Sequence, residues 1–242
     1  MNLNKNCYKD NKNHFKIACE LSEKIFSHNE LINMLKCGNI PERQIAALCL
    51  DYICNADEGE ILISNLIGCD GKIREATALK IDELLSADNN VGAFLNYPEI
   101  FANASVDINA NICRLVINSV NFMKRQPNFS KAYIDIIIKF INETFSEINK
   151  FIYKDKKYVI NKQLFKLYWC LESLKLFVNE IDSNMLLQIL TRASEESEYT
   201  IREKVAQIVL EIKNSEFKPL RSKLMNDENY YVRTAFQNVT NK

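Results

Sequence analysis

The stretch Ile61–Leu85, ILISNLIGCDGKIREATALKIDELL, predicts a short apolar helix, a turn at Gly68–Gly71 and a second helix. The same order of residue types recurs at Leu186–Ile212 and at Leu220–Val239, and a looser copy covers Leu31–Ile53. Each copy has a leucine-rich helix, an acidic turn, and then an arginine followed by small and aliphatic residues. Because one helical hairpin cannot bury its own apolar face, these copies predict hairpins that stack in a row.

The arginines of these copies keep a constant spacing. Arg43 and Arg74 are 31 residues apart, and Arg202 and Arg233 have the same separation. The interval of 128 residues from Arg74 to Arg202 is close to four such periods. Small residues follow three of the arginines at one phase, namely Ala47, Ala78 and Ala206. The spacing indicates repeated units, with divergent copies in the middle of the chain.

The composition favours helices over strands. Hydrophobic residues make up 47% and charged residues 26% of the 242 residues, which is typical of a folded globular protein. Only five glycines and four prolines are present, fewer than strand-rich folds and phosphate-binding loops need. We therefore predict an all-α fold, a solenoid of antiparallel helical hairpins without a β-sheet. Residues 1–12 are expected to form a flexible tail, and residues 13–242 a single repeat domain.

The balance of charges and the use of cysteine limit the kinds of binding partner and the cellular compartment that we expect. The 31 basic and 31 acidic side chains balance, so no overall field attracts nucleic acid or an anionic membrane. The eight cysteines form no CxxC pair, and the N-terminus lacks the apolar segment of a secretory signal. No stretch has the 18 or so apolar residues typical of a membrane span. We expect a cytoplasmic protein with reduced thiols and no membrane partner.

The middle of the chain follows the repeat less closely. Residues 91–103 look short and irregular because Pro98 interrupts them, and a helix is predicted from Ser105 to Arg125. Apolar residues at helical spacing predict a long helix over Asn128–Tyr153 and an aromatic helix over Val159–Val178.

The four copies resemble HEAT repeats, the helical-hairpin units of extended solenoids. The matching residues, each after an acidic turn, are Ile73-Arg74-Glu75-Ala76, Ile201-Arg202-Glu203-Lys204 and Val232-Arg233-Thr234-Ala235. In HEAT-like proteins this arginine usually pairs with acidic residues of a neighbouring turn. The resemblance therefore implies a HEAT-like superhelix and a structural role for the repeat arginines, which are Arg43, Arg74, Arg202 and Arg233.

A second resemblance concerns Tyr230-Tyr231-Val232-Arg233-Thr234. Bacterial alkylpurine DNA glycosylases are built from HEAT-like repeats and show an aromatic-aromatic-Val-Arg-Arg sequence. This chain is similar there, but it has tyrosine in place of tryptophan and threonine in place of the second arginine. The similarity implies a nucleic-acid-binding protein as the alternative to a protein-binding one. A tyrosine pair that begins a terminal helix is the structural interpretation of the same residues.

The candidate binding residues lie in the aromatic helix. Trp169 is the only tryptophan, beside Tyr168 and one helical turn before Glu172. An aromatic ring beside a carboxylate can stack on a base and stabilise a cationic sugar. The other interpretation is that Trp169 fills space between hairpins, as large aromatics do in cores.

Lysines interleaved with aromatic residues precede and enter this helix. This composition is typical of a nucleic-acid contact surface, and equally of a solvated turn between two long helices. The lysines are Lys150, Lys154, Lys156, Lys157, Lys162 and Lys166, and the aromatics are Phe151, Tyr153 and Tyr158. Of these, Lys162 and Lys166 join Tyr168, Trp169 and Glu172 as the predicted binding set.

No metal site, cofactor site or catalytic cysteine is predicted. The two histidines are His14 and His28, and neither has a recognised ligand spacing to the nearby Cys19 and Cys37. Taken together, the sequence favours a non-catalytic scaffold or adaptor that binds a protein through the concave surface of a HEAT-like solenoid. The alternative is a nucleic-acid-binding HEAT-like protein related to the alkylpurine DNA glycosylases.

Overall fold

The computed structural model describes residues 11–87, 91–150 and 157–237, and all regular structure in these ranges is helical. This confirms the all-α prediction for the described part of the chain. Two short 3₁₀ segments, Val91–Phe94 and Ser215–Phe217, accompany the α-helices. The α-helices are α1 (Asn11–Ser22), α2 (His28–Cys37), α3 (Ile40–Cys49), α4 (Ala56–Ser64), α5 (Gly71–Ser86), α6 (Pro98–Ala104), α7 (Ala110–Met123), α8 (Pro127–Lys150), α9 (Lys157–Lys175), α10 (Ser183–Ala193), α11 (Tyr199–Glu211), α12 (Lys218–Met225) and α13 (Tyr230–Gln237).

The chain divides into two compact units, unit 1 (Met1–Ser130) and unit 2 (Lys131–Lys242). In unit 1, helices α1, α3, α5 and α7 pack side by side in a row, while α2 packs on α3 and α4. In unit 2, α11 packs between α9 and α13, and α10 and α12 pack against this row. Each unit therefore contains hairpins whose second helices stack on one another. The single domain predicted for residues 13–242 stays a prediction. Residues 1–10 of the predicted tail lie outside the described residues, and residues 11 and 12 begin α1.

Polar side chains at the N-caps fix where the second helices begin. Asn39, Asp70 and Asn109 each accept a hydrogen bond from a backbone amide in the first turn of α3, α5 and α7. These side chains satisfy amides that have no partner within the helix, which stabilises each start by about 1 kcal/mol. The start of every second helix in unit 1 is thus set locally, by the residue in front of it.

Alanines allow the second helices to approach closely. Ala46 and Ala47 in α3, Ala76 and Ala78 in α5, and Ala206 in α11 are all buried. Larger buried aliphatic residues on the same helices then fill the space between the first and the second helices of the hairpins. Burying each such side chain contributes about 1.5–3 kcal/mol, so the apolar faces supply most of the stability.

Aromatic clusters complete the core of each unit. In unit 1, Phe101 makes edge-to-face contacts with both Phe94 and Phe129. In unit 2, the ring of Tyr133 lies against Phe177, and its hydroxyl donates a 3.0 Å hydrogen bond to the Ser173 hydroxyl. A buried tyrosine hydroxyl needs such a partner, and α8 is joined to the end of α9 in this way.

The structure differs from the sequence expectation in the middle of the chain. The helix predicted to begin at Ser105 begins at Ala110, because Asn109 caps it and the preceding residues form a turn. Pro98 begins α6 in the segment predicted to be irregular, and its missing N–H is tolerated at the first helical position. None of the described helices is both long and apolar enough to cross a membrane.

Candidate functional site

Arg74 joins two successive turns of unit 1. Its Nε donates to Asp107 Oδ2 at 2.6 Å and its Nη2 to Asp107 Oδ1 at 3.2 Å, while Nη1 donates to the Gly68 carbonyl at 2.8 Å. Both side chains of this ion pair are only 10% exposed. Gly68 has φ of 137°, a backbone conformation that residues with a side chain rarely adopt. The guanidinium therefore binds its own turn and the turn of the following hairpin at once.

Arg202 has the same environment in unit 2. It makes two hydrogen bonds to the Asp227 carboxylate, of 2.8 and 3.0 Å, and donates to the carbonyls of Glu196 and Ser197. Burial alone would raise the pKa of Asp227, but hydrogen bonds from Arg202 and from the Asn229 amide outweigh it and lower that pKa. Arg202 and Asp227 therefore form a bidentate, charge-assisted pair, which is among the strongest hydrogen-bonded contacts of an arginine.

The other two repeat arginines bind neutral groups. Arg43 donates to the carbonyls of Gly38 and Lys36 and, at 3.4 Å, to the Asn65 side chain. Arg233 donates to the carbonyls of Asp227 and Glu228.

One further residue takes the arginine position in α7. Cys113 lies four residues after the N-cap Asn109, as Arg74 lies four residues after Asp70, and its thiol donates to the Asp107 carbonyl. Burial and the Asp107 carboxylate raise the pKa of Cys113 to about 12, so the thiol stays protonated and able to donate. The structure therefore locates one of the divergent middle copies, whose position the arginine spacing did not indicate.

A cavity of about 450 Å³ opens on unit 2 between α9 and the start of α11. We call it the aromatic pocket; its lining residues are Asn161, Leu164, Phe165, Tyr168, Trp169, Glu198 and Thr200. Phe165 and Tyr168 both meet Trp169 edge to face, at centroid distances of 6.1 and 5.2 Å. The volume falls within the range typical of ligand pockets, and Glu198 is the one charged residue among the described residues of the lining.

The predicted residues Tyr168 and Trp169 thus lie together in the aromatic pocket, but Trp169 is only 8% exposed. Its indole Nε1 is buried and has no hydrogen-bond acceptor among the described residues. An unsatisfied buried N–H costs about 1–3 kcal/mol.

Beside Tyr168 of the aromatic pocket lies a buried lysine that is not part of the predicted binding set. Lys204, 6% exposed, forms an ion pair with Glu172 and donates to Gln207 Oε1 at 2.8 Å. Its Nζ also lies 4.9 Å from the centre of the Tyr168 ring. Glu172, predicted to face a ligand, is instead the partner of this lysine.

The predicted lysines do not line the pocket. Lys166 lies 4.2 Å from the centre of the Phe140 ring and 3.9 Å from Glu143, so α8 holds it. Lys162 is exposed. Of the basic run, Lys150 pairs with Glu147, and the segment 151–156, with Lys154 and Lys156, lies outside the described residues.

The tyrosines of the glycosylase-like stretch are on the surface of unit 2. Tyr230 and Tyr231 are 62% and 57% exposed. Tyr231 stacks on Tyr199, whose sequence neighbours Glu198 and Thr200 line the aromatic pocket. The aromatic surface thus continues from α9 over α11 to α13.

In unit 1, three residues offer metal-ligating atoms at one place. These are His28, Cys54 and Glu58, whose donor atoms all lie within 4.8 Å of one another. Along the chain, the cysteines nearest to His28 are Cys19 and Cys37. The structure places His28 beside a loop and a helix about 30 residues further on.

Comparisons with known proteins do not add a function. No protein-family model and no curated protein matches the sequence. Crystal structures of two engineered proteins, both from the Northeast Structural Genomics Consortium, are distantly similar, with 14% and 13% identity and TM-scores of 0.42 and 0.45. They cover 88% of this chain, and this chain covers 94% and 96% of theirs. Likeness at this level carries no argument about what the chain does.

Proposed function

We propose that this chain is a non-catalytic HEAT-like repeat protein that binds a protein partner as a scaffold or adaptor. Within it, the aromatic pocket of unit 2 receives an apolar or aromatic side chain of the partner. The observation that carries the proposal is the pocket itself, an open cavity of about 450 Å³ lined by three aromatic side chains. A cytoplasmic partner fits the buried thiol of Cys113, which is not in a disulfide.

The chemistry of the lining favours a protein segment. Tyrosine, tryptophan and phenylalanine are the side chains that protein interfaces use as anchors. The exposed Tyr230 and Tyr231 offer further contact area beyond the pocket.

The same lining gives little support to a phosphate backbone. Nucleic-acid sites combine aromatic rings with a positively charged groove. Among the residues that the structure describes, the charged residue of the lining is Glu198, and Lys166 is held by Phe140 and Glu143. Lys204 is buried and paired with Glu172, so it is not available to a phosphate.

A peptide-display screen on the immobilised full chain tests the proposal. The sole tryptophan lies in the pocket, so its fluorescence reports occupancy without a label. We expect selected peptides to carry an apolar anchor and to change the Trp169 emission. Phe165→Ser should weaken their binding about tenfold or more, since an anchor contact of this kind contributes above 1 kcal/mol.

Phe122→Ser is the matched control, because Phe122 in α7 is 42% exposed and Phe165 is 37% exposed. Selected peptides that bind both variants equally well would contradict the role of the pocket.

Labelled duplex DNA containing methylated purines tests the alternative function. Salt-dependent DNA binding, or release of a methylated purine, would overturn the proposal in favour of the glycosylase-like one.

A further inference from the structure

Three potential ligand atoms converge where α2 meets the start of α4. Glu58 Oε2 lies 3.0 Å from His28 Nε2, and Cys54 Sγ lies 3.7 Å from the same nitrogen. In a tetrahedral zinc site with bonds of about 2.0–2.3 Å, the ligand atoms are about 3.3–3.8 Å apart. The sulfur–nitrogen distance already fits, and the oxygen–nitrogen distance needs to lengthen by only about 0.3 Å. All three donor atoms lie within 4.8 Å of one another, so the sulfur–oxygen distance needs to shorten by at most about 1 Å.

The surrounding structure holds each of the three residues in place. His28 is the first residue of α2, whose start is fixed by reciprocal hydrogen bonds between Ser27 and Glu30. The Tyr52 ring stacks on the imidazole at 4.5 Å with only 6° between the ring planes.

Glu58 and Cys54 are fixed to each other. The Cys54 amide donates to Glu58 Oε2 at 2.7 Å, and Asn55 caps the helix that carries Glu58. The His28 and Glu58 side chains are only 18% and 15% exposed, whereas Cys54 is exposed. The cluster is therefore ordered from within and still open to an ion from solution.

The same three residue types could suggest a nucleophilic cysteine, but the geometry opposes it. In a catalytic triad the nucleophile and the carboxylate bind opposite nitrogens of the imidazole. Here both meet Nε2, so the nitrogen that would accept the thiol proton is already engaged by Glu58.

We propose that His28 Nε2, Cys54 Sγ and a Glu58 carboxylate oxygen bind one divalent transition-metal ion of the zinc type. A nitrogen, a sulfur and an oxygen ligand suit zinc or cobalt, whereas magnesium and calcium prefer oxygen ligands alone. The exposed side of Cys54 leaves a fourth position for water or for a ligand from a partner. Binding releases the thiol proton, so the affinity increases with pH.

Cobalt(II) titration of the full chain, in a thiol-free reductant, tests this site directly. We expect one equivalent to give thiolate-to-cobalt charge-transfer absorption in the near ultraviolet, and zinc to displace it. Cys54→Ser removes that absorption, and His28→Gln weakens zinc binding about tenfold or more. Zinc raises the melting temperature of the wild type but not that of Cys54→Ser.

Cys69→Ser is the control, because Cys69 is another exposed cysteine of unit 1 outside the cluster. It retains both the cobalt absorption and the stabilisation by zinc. Circular dichroism of each variant first establishes that it is folded. Absence of charge-transfer absorption in the wild type at millimolar cobalt overturns the proposal, and so does the same absorption in Cys54→Ser.

Discussion

Lys204 is a single residue that departs from the repeat and so gives unit 2 its distinctive chemistry. It lies two residues after Arg202, a position at which Ala76 follows Arg74 and Ala235 follows Arg233. The alanine at this position in α5 packs into the core, whereas Lys204 brings a charge into the same setting and pairs with Glu172. The sequence contained this signal, because aligning the copies exposes the one charged residue. Helical periodicity alone could not reveal it.

We expect Lys204→Met to lower the free energy of unfolding by about 2 kcal/mol. The substitution keeps most of the side-chain volume but leaves Glu172, which is 30% exposed, without its cation. Adding Glu172→Gln should recover most of the loss, since removal of both charges is often nearly neutral. Chemical denaturation of the two single variants and the double variant measures this coupling.

Lys213→Met is the control for that series, because Lys213 is exposed. Its free energy of unfolding should stay within about 0.5 kcal/mol of the wild-type value. A double variant as unstable as the two single losses added together would show that Lys204 and Glu172 act independently.

Asp227 makes the stability of unit 2 depend on acid. Its folded-state pKa is lowered, so its contribution is complete above the unfolded value of about 3.9 and is lost as the pH falls through the folded value. We expect the stability of the wild type to fall more steeply than that of Asp227→Asn from about pH 5 downwards. Urea unfolding across this range measures the two slopes, and parallel slopes would contradict the assignment.

At the scale of the element, each second helix carries its key residue four positions after its N-cap. Arg43, Arg74, Arg202 and Arg233 obey this rule, and their spacing could be read from the sequence. The α7 copy escaped notice because Cys113 occupies the position and gives no charge to recognise. The start of α7 escaped for a related reason, since Asn109 caps it within a run of polar residues that offers several alternatives.

The arginine contacts predict an order of stabilities. Arg74→Ala and Arg202→Ala each leave a nearly buried aspartate without its partner, and we expect a loss of about 3 kcal/mol. Arg43→Ala removes bonds to neutral groups only and should lose about 1 kcal/mol. Thermal and urea unfolding of the three variants measures the order.

Arg114→Ala serves as the control for this order. Arg114 is exposed on α7 and donates to Asn111 of its own helix. It should differ from the wild type by no more than about 0.5 kcal/mol. An Arg74→Ala variant of unchanged stability would show that the ion pair with Asp107 does not hold the turns together.

At the scale of the whole molecule, fold class was the most predictable property and the binding site the least. Repeated hairpins follow from apolar periodicity, which every copy carries in its own sequence. The aromatic pocket depends on residues from α9 and from the start of α11, about 30 positions apart. The group of His28, Cys54 and Glu58 likewise forms only when separate hairpins pack together. Such proximities are properties of the tertiary structure, and no local pattern encodes them.

The division into two compact units predicts that each unit unfolds on its own. Trp169 reports on unit 2 alone, whereas far-UV circular dichroism reports on both units. We expect Arg74→Ala to shift the dichroism curve in urea while leaving the Trp169 fluorescence midpoint in place. Arg202→Ala should shift both. Movement of the Trp169 midpoint by Arg74→Ala would instead indicate one cooperative structure.

Among the residues that the structure describes, Arg233 bonds to carbonyls of its own turn through Nη1. Arg74 and Arg202 use their remaining nitrogens to grip an aspartate two residues before the N-cap of the next second helix. The same pairing of an arginine with an aspartate could be used to join a further repeat to this chain. A synthetic module appended after α13, with an aspartate at the equivalent place, would be clamped by Arg233. In such a design, a single carboxylate would align each added junction.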